Sequence, residues 1–156
     1  MNKHIIYDGG LIGLSNEAPQ YTSFASVYNC FLGKITDDMY LELTPEDTLR
    51  DLQSLLINAI PGFEFPRCVL HGYIIEIEEV AQDCIEPTDF IIGITETGMN
   101  LVERSYFRSV LTAEEINILA ILMMEGWVQR QVTSIENTRQ KYSGTDFKMT
   151  SQANHL

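Results

Sequence analysis

The sequence predicts a mixed α+β fold: two long amphipathic helices flanking a small antiparallel β-sheet, with an extended N-terminal arm and a C-terminal tail. Residues 45–60 and 112–141 carry apolar residues in steps of three and four, which is the period of a helix with one buried face. Between them, residues 68–80 and 88–95 alternate apolar and polar positions and are rich in β-branched side chains, which indicates strands.

The length of 156 residues suits one domain with a substantial core, and a hydrophobic content of 45% argues against wholesale disorder. We divide this single domain, 1–156, into an extended arm at 1–20, a helical body at 21–141 with a β insertion at about 68–102, and a tail at 142–156. No apolar run of the length of a membrane span occurs, and the first residues do not resemble a signal peptide.

The N-terminal arm combines apolar residues with glycines. His4–Tyr7 is compatible with a short strand, and the glycines that follow it are expected to prevent regular structure. Leu11, Ile12 and Leu14 have no local element to pack against. We therefore expect them to dock on the body or, by preference, on a neighbouring copy of the chain.

Two helices are predicted in the first half of the body. Residues 21–33 place aromatic and apolar side chains at helical spacing and end at a glycine. Residues 35–43 are either a strand or a linker. The helix at 45–60 has clear start signals, because Thr44 is a preferred N-cap residue and Pro45 suits a first helical position that needs no backbone N–H.

The strand segments predict an antiparallel pair or a three-stranded sheet. A turn at Gly98–Asn100 would lead into the third strand at Leu101–Val102. Glu76, Glu78 and Glu79 would then crowd one face or edge of this sheet and make that surface strongly acidic.

Residues 112–141 form the longest predicted helix. Thr112 and Glu115 have the spacing of a capping box, in which each side chain bonds the backbone N–H of the other residue. The apolar residues after them are interpreted as one buried face: Ile116, Leu119, Ala120, Met123, Trp127, Val128, Val132 and Ile135. At about 1.5 Å per residue the helix is roughly 45 Å long, which is longer than the core of such a chain, so we expect it to contact a neighbour.

Two glycines interrupt this C-terminal region. Gly126 is a mid-helix weakness that indicates a kink or a close backbone contact. Gly144 predicts the end of the helix, and Asp146 predicts the N-cap of a further helix that contains Phe147.

The charge is unevenly distributed along the chain. The formal net charge is −12, and residues 37–96, with fourteen acidic and two basic side chains, account for all of it. The last thirty residues are slightly basic, with Arg130, Arg139 and Lys141 among them. This polarity predicts head-to-tail contacts between copies. The alternative is a solvated acidic surface that keeps the protein in solution.

No catalytic or metal-binding pattern stands out. Cys68 and His71 are a Cys/His pair at ligand spacing, but zinc needs three or four such ligands. Cys30 lies on an apolar helical face and is expected to be a small core residue. The acidic charge argues against nucleic-acid binding, which requires a basic footprint. We therefore predict a protein that is not an enzyme and that uses no cofactor or metal.

Two long stretches resemble proteins of a known class. They are residues 28–66, YNCFLGKITDDMYLELTPEDTLRDLQSLLINAIPGFEFP, and residues 111–156, LTAEEINILAILMMEGWVQRQVTSIENTRQKYSGTDFKMTSQANHL. These stretches look like those of tailed-bacteriophage neck proteins of the head-to-tail connector, or adaptor, class. The resemblance covers about residues 40–156 and is one of layout, without a short diagnostic motif.

The resemblance implies a structural virion protein, made in the host cytoplasm, that forms a ring, commonly twelve-fold, in the neck. Its implied partners are copies of itself, the portal protein, the tail-side neck proteins and, transiently, the passing DNA, and no membrane. The residues expected at subunit or partner interfaces are Leu11, Ile12, Leu14, Trp127, Arg130, Arg139, Lys141 and Phe147. Glu76, Glu78 and Glu79 are expected to face the lumen of the ring.

Two alternative functions stay open. The first is another virion component, such as a tail-completion or capsid-associated protein. The second is an acidic inhibitor that mimics DNA and blocks a host nuclease, which would use the same net charge.

Overall fold

The computed structural model describes the backbone of residues 7–8, 11–12, 21–35 and 39–153, with the side chains of 21–35 and 40–141. Within these residues the fold is mixed α+β, with antiparallel strand pairs. In chain order the elements are β1 (Tyr7–Asp8), β2 (Leu11–Ile12), β3 (Thr22–Ser23), α1 (Phe24–Leu32), α2 (Met39–Glu42), α3 (Pro45–Ala59), β4 (Tyr73–Ile74), β5 (Ile77–Val80), β6 (Phe90–Ile94), β7 (Asn100–Glu103), β8 (Tyr106–Phe107) and α4 (Ala113–Ala153).

The core is built mainly by three helices. α4 packs against both α1 and α3, and β6 packs against α3. The buried cluster takes side chains from all three helices, including Phe24, Val27, Tyr28, Phe31, Leu52, Leu56, Leu119, Ala120 and Met123. The two predicted helices therefore flank the strands in sequence, but in space they pack against each other rather than around the sheet.

The predicted helix starts are confirmed by their caps. Thr44 Oγ1 accepts the Asp47 N–H at 3.2 Å, with Pro45 at the first helical position. At the start of α4, the Glu115 N–H donates to Thr112 Oγ1 at 3.3 Å, and the Thr112 N–H donates to Glu115 Oε2 at 2.8 Å. This reciprocal pair is the predicted capping box, and it leaves fewer unpaired backbone donors in the first turn.

Residues 35–43 contain a short helix rather than a strand. α2 is one helical turn, and the Tyr40 hydroxyl in it donates to Asp51 Oδ2 on α3 at 2.6 Å. A tertiary hydrogen bond thus stabilises a helical turn in a segment whose alternating apolar and polar residues suggested an extended backbone. The strand alternative is wrong for Met39–Glu42, and residues 36–38 lie outside the described part of the chain.

The predicted three-stranded antiparallel sheet is confirmed as β5, β7 and β6, with β7 in the middle. The first strand segment is divided, however, because Tyr73–Ile74 joins a second sheet, of order β3-β8-β4, and residues 68–72 are not in a strand. Buried Ser105 links these sheets: its hydroxyl accepts the Glu76 N–H at 3.0 Å, and its carbonyl accepts the Phe24 N–H at 2.8 Å.

The sheet of β5, β7 and β6 is fitted closely to the start of α3. Gly98, with a φ of 79°, makes the turn between β6 and β7. At Gly93, an added Cβ would lie 2.8 Å from Pro45 Cγ, so a larger residue there would force the strand away from the helix. A register shift between Ile91 and Gly93 accompanies this contact.

Both ends of the chain differ from the prediction. α4 runs without a break to Ala153, so Gly144 does not end it and Asp146 does not start another helix. One glycine costs a helix only about 1 kcal/mol, which a long helix tolerates. In the N-terminal arm, Tyr7–Asp8 pairs antiparallel with Leu11–Ile12, so part of the arm is regular.

Candidate interaction surface

α4 carries apolar residues on two opposite faces. Leu119, Ala120 and Met123 are fully buried against the body. A helix turns by about 100° per residue, so Val132, nine residues after Met123, lies about 180° around the axis from it. The prediction that all the apolar residues share one face is therefore wrong for the second half of the helix.

The face that points away from the body forms what we call the outward stripe. Its members are spaced three, four or seven residues apart and are 39–67% exposed: Ile118, Ile121, Val128, Val132 and Ile135. Every described side chain from Val132 to Lys141 is exposed, so this part of α4 extends past the body. An apolar row of this kind on a projecting helix is typical of a protein-binding surface.

A charged junction holds α4 where it leaves the body. The Arg130 guanidinium forms an ion pair with Asp51 on α3, with Nη2 3.1 Å from Oδ2. Burial opposes ionisation of Asp51, but hydrogen bonds from Arg130 and Tyr40 outweigh it and hold the pKa of this carboxyl below its usual range. Arg130, an expected contact between subunits, thus already pairs with the acidic stretch of its own chain.

The other residues expected at interfaces are widely scattered. Trp127 packs against the buried cluster, and its buried indole Nε1 has no acceptor within the described residues. Arg139 and Lys141 are exposed on the projecting part of α4. For Leu11, Ile12 and Phe147 the structure describes the backbone but not the side chain. Leu14 lies wholly outside the described residues.

Two further exposed apolar side chains lie in the loop between α3 and β4. Phe65 is 92% exposed and Val69 is 69% exposed, and we call them the loop pair. Phe65 also has a φ of 59°, in the left-handed region that a bulky side chain rarely adopts. An aromatic ring held in water on a strained backbone is more typical of a recognition site than of a structural one. The sequence pattern did not indicate it.

The three glutamates of the acidic surface do not form one cluster. Glu78 pairs with Arg104, whereas Glu79 Oε2 accepts the Thr97 hydroxyl at 3.1 Å. Glu76 is exposed in the connection before β5. The glutamates were expected on one face or at one edge of the sheet. β5 is an edge strand, so they lie at or beside an edge and do not share a single face.

One carboxyl group is buried where the sheet meets the helices. Glu103 on β7 is 2% exposed, and its Oε1 accepts the Gln53 amide at 2.9 Å and the Tyr28 hydroxyl at 3.3 Å. Burial raises the pKa of Glu103 despite these hydrogen bonds, and it raises the pKa of Tyr28 as well. This arrangement joins β7 to α1 and α3.

The described side chains contain no group of three or more His, Cys, Asp or Glu that could hold a metal ion. His71 is exposed, while Cys68 and Cys30 both pack against the buried cluster. Among the described residues, no helix is both long and apolar enough to cross a bilayer.

Comparison with known proteins assigns no family. No family model matches the chain, and neither the curated proteins nor the solved structures contain a match.

Proposed function

We propose that this chain is a structural, non-enzymatic subunit of the neck of a tailed-bacteriophage particle. In this role it forms a ring that connects the portal to the tail and lets DNA pass through. The single observation that carries the proposal is α4, whose second half leaves the body with an apolar stripe facing outward. Long helices gain most of their stability from packing, so this half needs another chain beside it.

A ring requires two different contact surfaces on each subunit, because the contact between neighbours is heterologous. The outward stripe and the loop pair are two such surfaces, on different elements. One surface of each subunit would contact the next subunit, and the portal or tail-side proteins would cover what remains. A heterologous contact of this kind forms a ring when its rotation closes, and a twelve-fold ring is the form that the resemblance suggests.

The charge of the sheet suits the lining of a DNA channel. Glu76, Glu78 and Glu79 lie on or beside the edge strand β5 and are all exposed, and of the three only Glu78 has its charge offset by an arginine, Arg104, within the described residues. Exposed carboxylates repel phosphates, so a lumen lined by them would let DNA slide without binding. We place this edge toward the lumen in the proposed ring.

The rival function of a DNA-mimicking inhibitor requires carboxylates that stand free, as phosphates do. Several in this chain are instead engaged internally: Asp51 with Arg130, Glu115 with Arg67, and Asp89 and Glu78 with Arg104. Glu103 is buried. These contacts favour the structural subunit over the mimic.

The test is to locate the chain in purified particles of a phage that encodes it. Mass spectrometry of the particles should detect multiple copies, and averaged electron micrographs should show it as a ring between portal and tail. Detection elsewhere in the particle would favour another virion role, such as tail completion. A chain missing from particles that binds a basic host nuclease would overturn the proposal in favour of the mimic.

A pair of matched variants connects this location to α4. The double substitution Val132→Glu with Ile135→Glu places two charges on the outward stripe, and we expect it to prevent incorporation into particles. The control, Thr133→Glu with Asn137→Glu, adds the same charge to exposed positions on another face of α4. Equal incorporation of both variants would show that the outward stripe is not required for assembly.

A further inference from the structure

The outward stripe has the residue spacing of a coiled-coil seam. Ile118, Ile121, Val128, Val132 and Ile135 fall at alternating steps of three and four once position 125 is included, and the next position in the series is 139. Glu125 and Arg139 occupy those two positions. A seam of this kind pairs best with another helix that presents the same pattern, and a second copy of this chain presents it.

The two charges select the direction of the pairing. Glu125 and Arg139 are exposed, and neither is paired within the described side chains. In a parallel pair each charge would meet its own counterpart, which is repulsive. In an antiparallel pair centred between Val128 and Ile135, Glu125 of one copy lies within about one helical turn, or about 5.4 Å along the axis, of Arg139 of the other.

We infer that free copies of this chain pair two-fold and antiparallel through the outward stripe, with Glu125 of each copy beside Arg139 of the other. The stripe side of α4 is open to a partner helix, because Leu119 and Met123 hold the body on the opposite face of the helix. The core of the pair is Val128, Val132 and Ile135 of both copies, and the two Glu–Arg contacts close its ends.

This state goes beyond the proposed ring. A two-fold contact uses the same patch on both copies and closes on itself, so it cannot extend into a ring. It instead covers the stripe while copies are free, and assembly then exchanges the contact with a second copy for contacts within the particle. The pairing thereby limits premature association of free chains.

The test is sedimentation velocity of the purified full chain over a concentration series. The natural chain should form a dimer. Val132→Glu with Ile135→Glu should be monomeric throughout, while Thr133→Glu with Asn137→Glu should retain the dimer. Circular dichroism and Trp127 fluorescence check that each variant keeps its fold. A natural chain that is monomeric at every concentration, or that forms larger species without a dimer, overturns the inference.

Charge reversal tests the direction. Glu125→Arg alone and Arg139→Glu alone each replace two attractive contacts by repulsive ones, and each should raise the dissociation constant roughly tenfold. The combination of both substitutions should restore the natural value, because the charges then match again. If the combination binds as weakly as the single variants, the antiparallel arrangement is wrong. These outcomes are independent of the particle experiment, so either proposal can fail while the other stands.

Discussion

The two halves of α4 are one continuous helix with opposite relations to the rest of the molecule. From Ala113 to Trp127 most of its apolar side chains pack into the body, with Ile118 and Ile121 as the exposed exceptions, whereas Val128, Val132 and Ile135 all face away from it. The first half is therefore stabilised by tertiary contacts within the chain, whereas the second depends on whatever lies beside it. The difference shows that one helix can carry apolar residues at regular spacing throughout and still use them for two purposes. One set packs on its own body, and the other is exposed for contact with another chain.

The largest expected effect comes from truncating one apolar residue in each half. Leu119→Ala removes a fully buried side chain and should lower the free energy of unfolding by about 3 kcal/mol. Val132→Ala removes a side chain that is 43% exposed and should change it by less than about 0.5 kcal/mol. Urea denaturation of dilute, monomeric protein measures both. Similar losses for the two variants would remove the distinction between the halves.

A smaller effect of opposite sign is expected where the halves meet. An added Cβ at Gly126 would lie 3.5 Å from Leu55 Cδ2, which is an ordinary van der Waals distance. Gly126→Ala should therefore raise the free energy of unfolding by somewhat less than about 1 kcal/mol, since alanine favours the helix without a clash. Thermal unfolding provides the measurement. A destabilised variant would mean that α3 and α4 must approach more closely here than the structure shows.

The smallest expected effect concerns pH and the junction at Arg130. The folded-state pKa of Asp51 is lowered, so its stabilising contribution is present above the usual carboxyl pKa and is lost as pH falls through the lower folded value. Arg130→Met should cost roughly 0.5 kcal/mol at neutral pH, because the Arg130 side chain is half exposed, and almost nothing near pH 2. Gln129→Met serves as the control. A loss of unfolding free energy in Arg130→Met that does not change with pH would indicate lost packing rather than a lost ion pair.

The local signals in the sequence were sufficient for the helix starts and for the sheet. The hydrogen bonds at Thr44 and Thr112 link residues three apart, so the local sequence alone predicts them. Gly98 predicts its turn for the same reason. Local signals failed at Gly144, where a weak helix breaker did not outweigh the helix on either side of it.

The candidate surface was predicted only in outline. The apolar spacing is four residues from Met123 to Trp127 and four again from Val128 to Val132, but the single step from Trp127 to Val128 rotates the series by about 100° around the helix axis. The burial of Glu103 and the pairing of Arg130 depend on contacts with α3 that are distant in sequence. The exposure of Phe65 is set by a loop conformation that no periodic pattern encodes.

Because α4 is continuous, a small rotation at its packed end produces a large displacement at its other end. The helix extends about 40 Å from Val128 to Ala153 at about 1.5 Å per residue. A tilt of about 10° at the packed end would move the far end by roughly 7 Å, which exceeds the helical pitch of about 5.4 Å. Small repacking between α3 and the start of α4 would thus be transmitted as a large displacement at the tip, where a binding partner could detect it.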